Sequence, residues 1–199
     1  MTGTTLFPWI FTGAVALSQA GFVKVTEDKG VTVWRREGAG PIELAAEGVI
    51  AAPPAQVLAV LLDYQHHPKW LKELRESDVL VRDPHSLVVY QRLGLPIIAD
   101  RDFTLKVRWG EQGDIVWMEF RAANELGPAP RHGVVRVTEH EGGWRLEPID
   151  NGRKTLARYH VRLDLAGSLP GWMARGRAAK DVPNLFQSIR SQLPNYASR

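Results

Sequence analysis

Polar side chains that could hold a small-molecule substrate are concentrated near the middle of the sequence. Tyr90, Gln91 and Arg92 follow one another, and Arg101 comes shortly after them. With Tyr159 they could supply the polar lining of a pocket, although a buried tyrosine whose hydroxyl finds a partner is an ordinary core residue. No proton-transfer group of suitable pKa stands out among them, so we predict no catalytic residue.

Several other kinds of chemistry are excluded or disfavoured. The sequence contains no cysteine, which excludes disulfides, thiol catalysis, thiolate metal ligands and cysteine acylation. His66 and His67 are neighbours on a predicted turn, and adjacent residues do not face one ligand. Neither a Gly-x-Ser-x-Gly elbow, nor a phosphate-binding glycine loop, nor a zinc-helix pattern occurs. We therefore predict neither a metal site nor a cofactor.

Arg101 stands in phase with the apolar side of a predicted strand. In the stretch DRDFTLKVRW, Phe103, Leu105, Val107 and Trp109 alternate with polar residues, and Arg101 lies two residues before Phe103. A buried guanidinium must be paired. We interpret Arg101 as a structural residue that binds a carboxylate or carbonyl at the start of the strand, and a contact with a ligand is the alternative.

The order of predicted elements indicates an α+β fold. Three strands (FVKV, VTVWRR and IELAAEGVI) precede two short helical segments, APPAQVLAVLLDY and HHPKWLKEL. Seven strands with short connections then predict antiparallel hairpins, and an amphipathic helix from about Pro170 to Leu193 closes the chain. Pro183 should kink this helix. A curved sheet wrapped around the last helix would bury all the apolar faces.

Strand parity predicts which side chains face that helix. The helix presents the small residues Gly176 and Ala179 at its centre, which could leave an apolar space against the sheet. A tightly packed core without a cavity is the alternative. The inward positions are Phe103, Leu105, Val107, Val116, Met118, Phe120, Val135, Val137, Trp144, Leu146, Ala157, Tyr159 and Val161.

Length and charge favour one domain with a basic C-terminal segment. The chain has 199 residues, 22.2 kDa and a net charge of +3. From Pro170 onwards it carries five cations and one anion, which suits an anionic membrane surface or a solvated helix face. Nucleic acid is not expected as a partner, because the aromatic residues of this segment follow its apolar stripe and form no open stacking platform.

The first twenty residues carry no charge and resemble an export signal. The apolar run from Leu6 to Leu17 is short for a membrane span, and Ser18 and Ala20 fit a signal cleavage site. We predict a signal peptide over residues 1–20, a mature domain over 21–199 that begins at Gly21, and a periplasmic or extracellular location. An uncleaved membrane anchor and a docked N-terminal helix are the alternatives.

Five stretches in order resemble the START lipid-transfer domains, especially their small bacterial members. They are APPAQVLAVLLDYQHHPKW, LVVYQR, RDFTLKVR, GGWRLEP and the C-terminal LDLAGSLPGWMARGRAAKDVPNLFQSIRSQL. The resemblance spans residues 22–193 and implies the helix-grip fold, with a tunnel for one apolar ligand. In sterol-carrying relatives a second arginine meets the polar group of the ligand, and here that position is Val107. The resemblance therefore does not imply sterol specificity.

The resemblance implies that the protein binds a lipid or similar apolar molecule without catalysis, and transfer of that molecule is a function known in the family. An aromatase/cyclase, which folds and dehydrates a polyketide on the same fold, is the alternative, and a partner-binding module without ligand is a third. The mobile entrance loop of the family falls on LGLPIIAD. We expect a monomer that touches anionic membranes transiently. The predicted gate comprises Leu95, Ile97, Ile98 and Trp172. The predicted lining comprises Tyr90, Arg101, Phe103, Leu105, Val107, Met118, Phe120, Val135, Trp144, Tyr159, Val161, Gly176 and Ala179.

Overall fold

The structure is a computed structural model that describes residues 21–38, 40–94, 98–165 and 171–196. Side chains are described throughout these ranges except over residues 171–180. The predicted signal peptide over residues 1–20 therefore lies outside the described residues. Among the described residues, no helix is both long and apolar enough to cross a membrane.

Ten strands and two α-helices make up most of the described chain. Helix α1 spans Pro54–Leu62 and begins at a proline, which needs no amide partner in the first turn. Helix α2 spans Gly171–Gln192 and contains Pro183. The strands are β1 (Phe22–Asp28), β2 (Val31–Arg36), β3 (Ile42–Ile50), β4 (Leu74–Asp83), β5 (Ser86–Leu93), β6 (Asp100–Gln112), β7 (Ile115–Ala122), β8 (Val134–Arg136), β9 (Glu139–Ile149) and β10 (Lys154–Asp164).

The strands form one sheet that is antiparallel except at β8. Its order is β1-β2-β3-β10-β9-β7-β6-β5-β4. The three N-terminal strands therefore join the rest of the sheet where β3 pairs with the last strand, β10. Strand β8 lies off this path and pairs in parallel with the start of β6. This arrangement confirms the predicted α+β sheet.

One face of the sheet packs against α1 and the second half of α2, and we call it the inner face. Phe186 of α2 is fully buried, and its ring centroid lies 5.1 Å from that of Trp144. A side-chain carbon at Gly48 would lie 3.2 Å from Phe186, so the absence of a side chain there allows the helix to come close to β3. Arg190 fixes the same half of the helix by donating to the carbonyls of Lys29 (2.6 Å) and Val49 (2.7 Å).

The opposite, outer face of β5 and β6 is covered by the segment 123–133. Asn124 holds this segment in place, because its side chain accepts the Thr104 amide at 2.8 Å and donates to the Val137 carbonyl at 2.7 Å. Gly127 lies so close to β6 that a side-chain carbon there would be 1.8 Å from Thr104 Oγ1. Only glycine fits this contact, and the outer face is therefore buried at this end of the sheet.

Two sequence predictions differ from the structure. The stretch HGVVRVTEH was predicted as one strand in an antiparallel series, but Val134–Arg136 form a short strand parallel to β6, and Glu139 and His140 already belong to β9. The hydrogen bonds of Asn124 return the chain across the outer face, so it enters beside β6 in the parallel direction. The second helical segment is a 3-10 helix at Tyr64–Lys69 that contains Pro68, which lacks the amide donor that a longer helix would need.

Candidate ligand-binding site

The inner face provides a continuous apolar surface. The predicted inward residues are buried in one cluster with α1 and α2, apart from Val135 and Tyr159, which are half-buried. The predicted lining residues in this cluster are Phe103, Leu105, Val107, Met118, Phe120, Trp144 and Val161. Parity therefore located the inner face correctly, and their contact with a ligand remains a prediction.

Arg101 lies at the end of this face where β6 begins. It is 3% exposed, and its guanidinium donates to the backbone carbonyls of Ala99 and Leu165. Burial lowers the pKa of Arg101. The Ala99 carbonyl precedes β6 and the Leu165 carbonyl follows β10. Arg101 therefore connects the start of β6 with the end of β10. These contacts match the structural role predicted from the sequence, with carbonyls as the partners.

His140 is the polar inner-face residue that sequence reasoning missed. It begins the inward series of β9 that continues through Gly142, Trp144 and Leu146, and it lies opposite Leu163 of β10. Its ring makes edge contacts with Phe103 (4.5 Å between centroids) and Phe120 (5.2 Å). Parity extended two residues backwards from Gly142 would have found it, but the stretch VTEH had been assigned to the preceding strand.

Both His140 and Tyr159 are half-buried, and burial shifts the pKa of each side chain. Burial lowers the pKa of His140 to about 4 and raises the pKa of Tyr159. Nevertheless, each side chain keeps an intermediate exposed fraction. Tyr159 stacks at 4.6 Å on Trp144, so His140 and Tyr159 both lie among aromatic rings.

Tyr90 does not join them, which corrects its predicted place in the lining. It pairs with Thr104 in the register of β5 and β6, so its side chain lies on the outer face. There its hydroxyl donates to Asp102 Oδ2 at 3.1 Å, and Arg131 covers its ring at 5.1 Å. The partner of this hydroxyl lies where the segment 123–133 covers the outer face. The sequence pattern did not reveal that contact. Burial and the neighbouring Asp102 raise the pKa of Tyr90 to about 12.

The remaining predicted residues are only partly described. Val135 is half-buried and lies opposite Arg101 in the parallel pairing of β8 with β6. Ile98 of the predicted gate is half-buried. Leu95 and Ile97, and the side chains of Trp172, Gly176 and Ala179, lie outside the described residues.

The helical histidines are engaged with the protein. His66 contacts Asp63 at 2.8 Å, an acidic neighbour that the sequence analysis had not assigned. His67 is buried, its Nε2 lies 3.4 Å from the Val60 carbonyl, and burial lowers its pKa to about 4. In the described part of the chain, no group of three or more acidic or histidine side chains is arranged to hold a metal ion.

Comparison with solved structures shows the same fold. A STAR-related lipid transfer protein fragment from Xanthomonas axonopodis aligns with a TM-score of 0.79 at 22% identity, over 87% of this chain and 99% of that one. Human StAR-related lipid transfer protein 5 gives 0.77 at 20% identity, over 92% and 93% of the two chains. An aromatase/cyclase from a Streptomyces species gives 0.59 at 12% identity, over 78% and 94%. The predicted START resemblance and the helix-grip fold are thereby confirmed.

Sequence comparison agrees. An uncharacterized protein of Pseudomonas aeruginosa is 25% identical over 168 residues, which is 83% of each chain. The family model described as polyketide cyclase/dehydrase and lipid transport matches residues 50–190, a range that contains α1, most of the sheet and nearly all of α2. This match covers well over half of the sequence, and the chain therefore belongs to the polyketide cyclase/dehydrase and lipid transport family.

Proposed function

We propose that the protein binds and carries a lipid or similar apolar molecule between the inner face and α2, without catalysing a reaction on it. The observation that carries this proposal is the state of His140 and Tyr159. Both residues keep accessible surface, although the aromatic and aliphatic side chains around them on the inner face are buried. Accessible polar side chains among buried aromatic rings are typical of an internal apolar site.

The placement of polar groups favours a carrier over a cyclase. An aromatase/cyclase is among the structural relatives, so catalysis on this fold is the alternative to weigh. It would require polar groups that converge on the substrate. Tyr90 instead points to Asp102 on the outer face, and Arg101 donates to two backbone carbonyls. Among Tyr90, Arg101 and Tyr159, Tyr159 is the one that faces inwards without such a bond in the described structure.

Native mass spectrometry tests this proposal directly. Protein purified from its own host is compared with a sample extracted with organic solvent and refolded. We expect the untreated protein to carry the extra mass of one small apolar molecule, which is released unchanged and identified from the solvent. Identical masses in the two samples, together with no uptake of apolar probes by the extracted protein, would contradict the proposal.

We also propose that the protein is exported and works at membranes. The uncharged first twenty residues and the basic segment after Pro170 support this proposal. N-terminal sequencing of the periplasmic or secreted protein should show Gly21 as its first residue. Recovery of the full-length chain from the cytosol would overturn the export proposal and leave the binding proposal intact.

A further inference from the structure

His140 occupies a chemically unusual position on the inner face. It lies between the rings of Phe103 and Phe120, at the end of the sheet where Arg101 connects β6 to the end of β10. Its neighbours of opposite parity, Glu139 and Glu141, lie on the outer face and contact Arg162 there. The imidazole is therefore separated from the charged groups of its own strand.

The ring nitrogen Nδ1 of His140 is buried and has no hydrogen-bond partner in the described structure. Leaving a buried polar atom without a partner is unfavourable, and native proteins rarely do so without a functional reason. The other buried histidines occupy different environments. His67 lies within reach of the Val60 carbonyl, and His160 lies on the outer face, where its Nε2 is 3.5 Å from the Glu43 carboxylate. His140 is thus the inner-face histidine with a ring nitrogen that lacks a hydrogen-bond partner, which a ligand could supply.

The chemistry of the group defines the class of ligand. A neutral imidazole presents one donor and one acceptor, and which nitrogen carries the proton depends on the partner. A hydroxyl can both donate and accept, so it satisfies either tautomer. A carboxylate would need a charged partner to enter this apolar face, and the guanidinium of Arg101 already donates to carbonyls.

We infer that His140 is the residue that binds the polar end of the ligand, and that the ligand is an apolar molecule with an uncharged hydroxyl at that end. The hydroxyl meets Nδ1, while the apolar body lies along the inner face towards Trp144 and Phe186. This inference rests on the proposed function, because it identifies the recognition group within the same site. It requires no covalent or redox step.

The test compares three probes of one chain length: decane, 1-decanol and decanoate, each delivered from cyclodextrin. Affinities are measured by titration calorimetry for the wild type and for the variants His140→Phe, His140→Asn and His67→Phe. We expect His140→Phe to weaken binding of 1-decanol by about two- to tenfold, the effect of one hydrogen bond, and to leave decane unchanged. His140→Asn should restore part of the preference, because its amide lies near the position of Nδ1.

His67→Phe is the matched control, since it removes a buried histidine that already contacts a backbone carbonyl. It should leave the ratio of 1-decanol to decane affinity at the wild-type value. Imidazole nitrogen spectra of the wild type should show a shift at His140 with 1-decanol and none with decane, a signature that a merely structural histidine would lack. This measurement also decides the matter if a His140 variant does not fold.

The outcomes separate the two proposals. If decane and 1-decanol bind but their ratio is the same in His140→Phe as in the wild type, the role of His140 is overturned and apolar binding stands. If decanoate binds most tightly and loses that advantage in His140→Phe, the assignment of an uncharged ligand is overturned. If none of the probes binds the wild type, the proposed function fails and the inference fails with it.

Discussion

Asp102 on the outer face and His140 on the inner face show two different environments for a buried polar group. Asp102 is fully buried and receives three donors: two nitrogens of Arg136, at 2.7 and 3.1 Å, and the hydroxyl of Tyr90. The buried nitrogen of His140 has no partner in the described structure. A carboxylate held by three donors maintains structure, whereas under our proposal the nitrogen of His140 is available to a ligand.

The outer face continues this pattern across the sheet as a row of ion pairs. Arg158 of β10 donates to Glu47 of β3 at 2.7 Å and to Glu147 of β9, which also pairs with Arg145 at 2.6 Å. Each of these partly exposed pairs stabilises the fold only slightly, typically by less than about 1 kcal/mol. Their value is in fixing register, because they join three neighbouring strands on the face that has no helix to align them.

Breaking the Asp102 cluster should have the largest effect on stability. Replacement of Asp102 by Ala leaves the guanidinium of Arg136, which is mostly buried, without its carboxylate and leaves the hydroxyl of Tyr90 without its acceptor. We expect a loss of about 3–5 kcal/mol in the free energy of unfolding, which is the usual effect of removing one partner from a buried pair. Urea denaturation followed by far-ultraviolet circular dichroism measures this change.

The exposed pair of Asp150 with Arg153 provides the control for that measurement. Asp150→Asn removes a carboxylate of similar geometry, 2.6 Å from its partner, but at the surface, and Asn tolerates the positive φ of 54° at this position. Its free energy of unfolding should change by no more than about 0.5 kcal/mol. Equal losses in Asp102→Ala and Asp150→Asn would contradict the view that the outer face depends on its buried cluster.

Acid should weaken the fold through the inner face. Burial lowers the pKa of His140 to about 4 in the folded chain, whereas an unfolded histidine titrates near its ordinary value of 6.5. Between these values the unfolded state binds more protons, so stability is complete above about pH 6.5 and falls as the pH drops towards 4, by up to about 3 kcal/mol for this group. The ionisable side chain that β6 places at the same end of the inner face is Arg101, which remains charged throughout this range.

Comparison of wild type with His140→Phe isolates this contribution. The two stability curves should be nearly parallel above pH 6.5 and diverge below it, with the variant the more stable protein at pH 4.5. His67 and His160 contribute equally to both curves, because their pKa values are also lowered, to about 4 and about 2, in both proteins. Superimposable curves between pH 4 and 6.5 would show that His140 is hydrated.

Local sequence pattern was sufficient for the fold because the core obeys simple parity. Phe103, Leu105 and Val107 alternate along β6 as predicted, and they are all buried on the inner face. The predicted face of a side chain was wrong where its hydrogen-bond partner comes from a distant segment. Tyr90 was placed in the lining, but Asp102 and the covering segment 123–133 give its hydroxyl a buried partner on the other face.

The polar part of the site was harder to predict than its apolar part. His140 lies on β9 by parity, yet the short parallel strand β8 before it disguised where β9 begins. Nothing in the residue sequence distinguishes a strand of three residues from the start of the next one. The side chain of Arg101 was placed correctly on the inner face, and its carbonyl partners belong to segments that only tertiary structure brings together.

Adding a methyl group at Gly142 should cause a smaller loss on the inner face. A side-chain carbon there would lie 2.7 Å from the Phe120 ring and 2.3 Å from the backbone carbonyl oxygen of His160. The backbone cannot move freely, so we expect Gly142→Ala to lower the free energy of unfolding by about 1–3 kcal/mol. Gly113→Ala is a control with open space around it, although its positive φ of 60° adds a separate backbone strain.

Substitutions in the loop between β5 and β6 should slow lipid transfer with little effect on stability. We propose that the loop LGLPIIAD, with the start of α2, is the gate through which ligand passes, and Ile98 is half-buried where the described chain resumes. Replacing Ile97 and Ile98 by Ser would remove two apolar side chains that, under this proposal, contact the membrane during transfer. We expect lipid transfer between anionic vesicles to slow severalfold while the melting temperature stays unchanged.

The matched control replaces two exposed apolar residues of the edge strand β4, Leu80 and Val81, by Ser. They are 43% and 46% exposed, and Val81 pairs with Val88, at the end of β5 away from Leu93 where the loop begins, so transfer should remain at the wild-type rate. If the start of α2 approaches an anionic membrane as we propose, Arg175, Arg177 and Lys180 would each contribute on the order of 1 kcal/mol of attraction, which salt weakens. Transfer by the wild type should therefore slow with added salt. A lower melting temperature with normal transfer per folded molecule would instead identify Ile97 and Ile98 as core residues that close the end of the inner face.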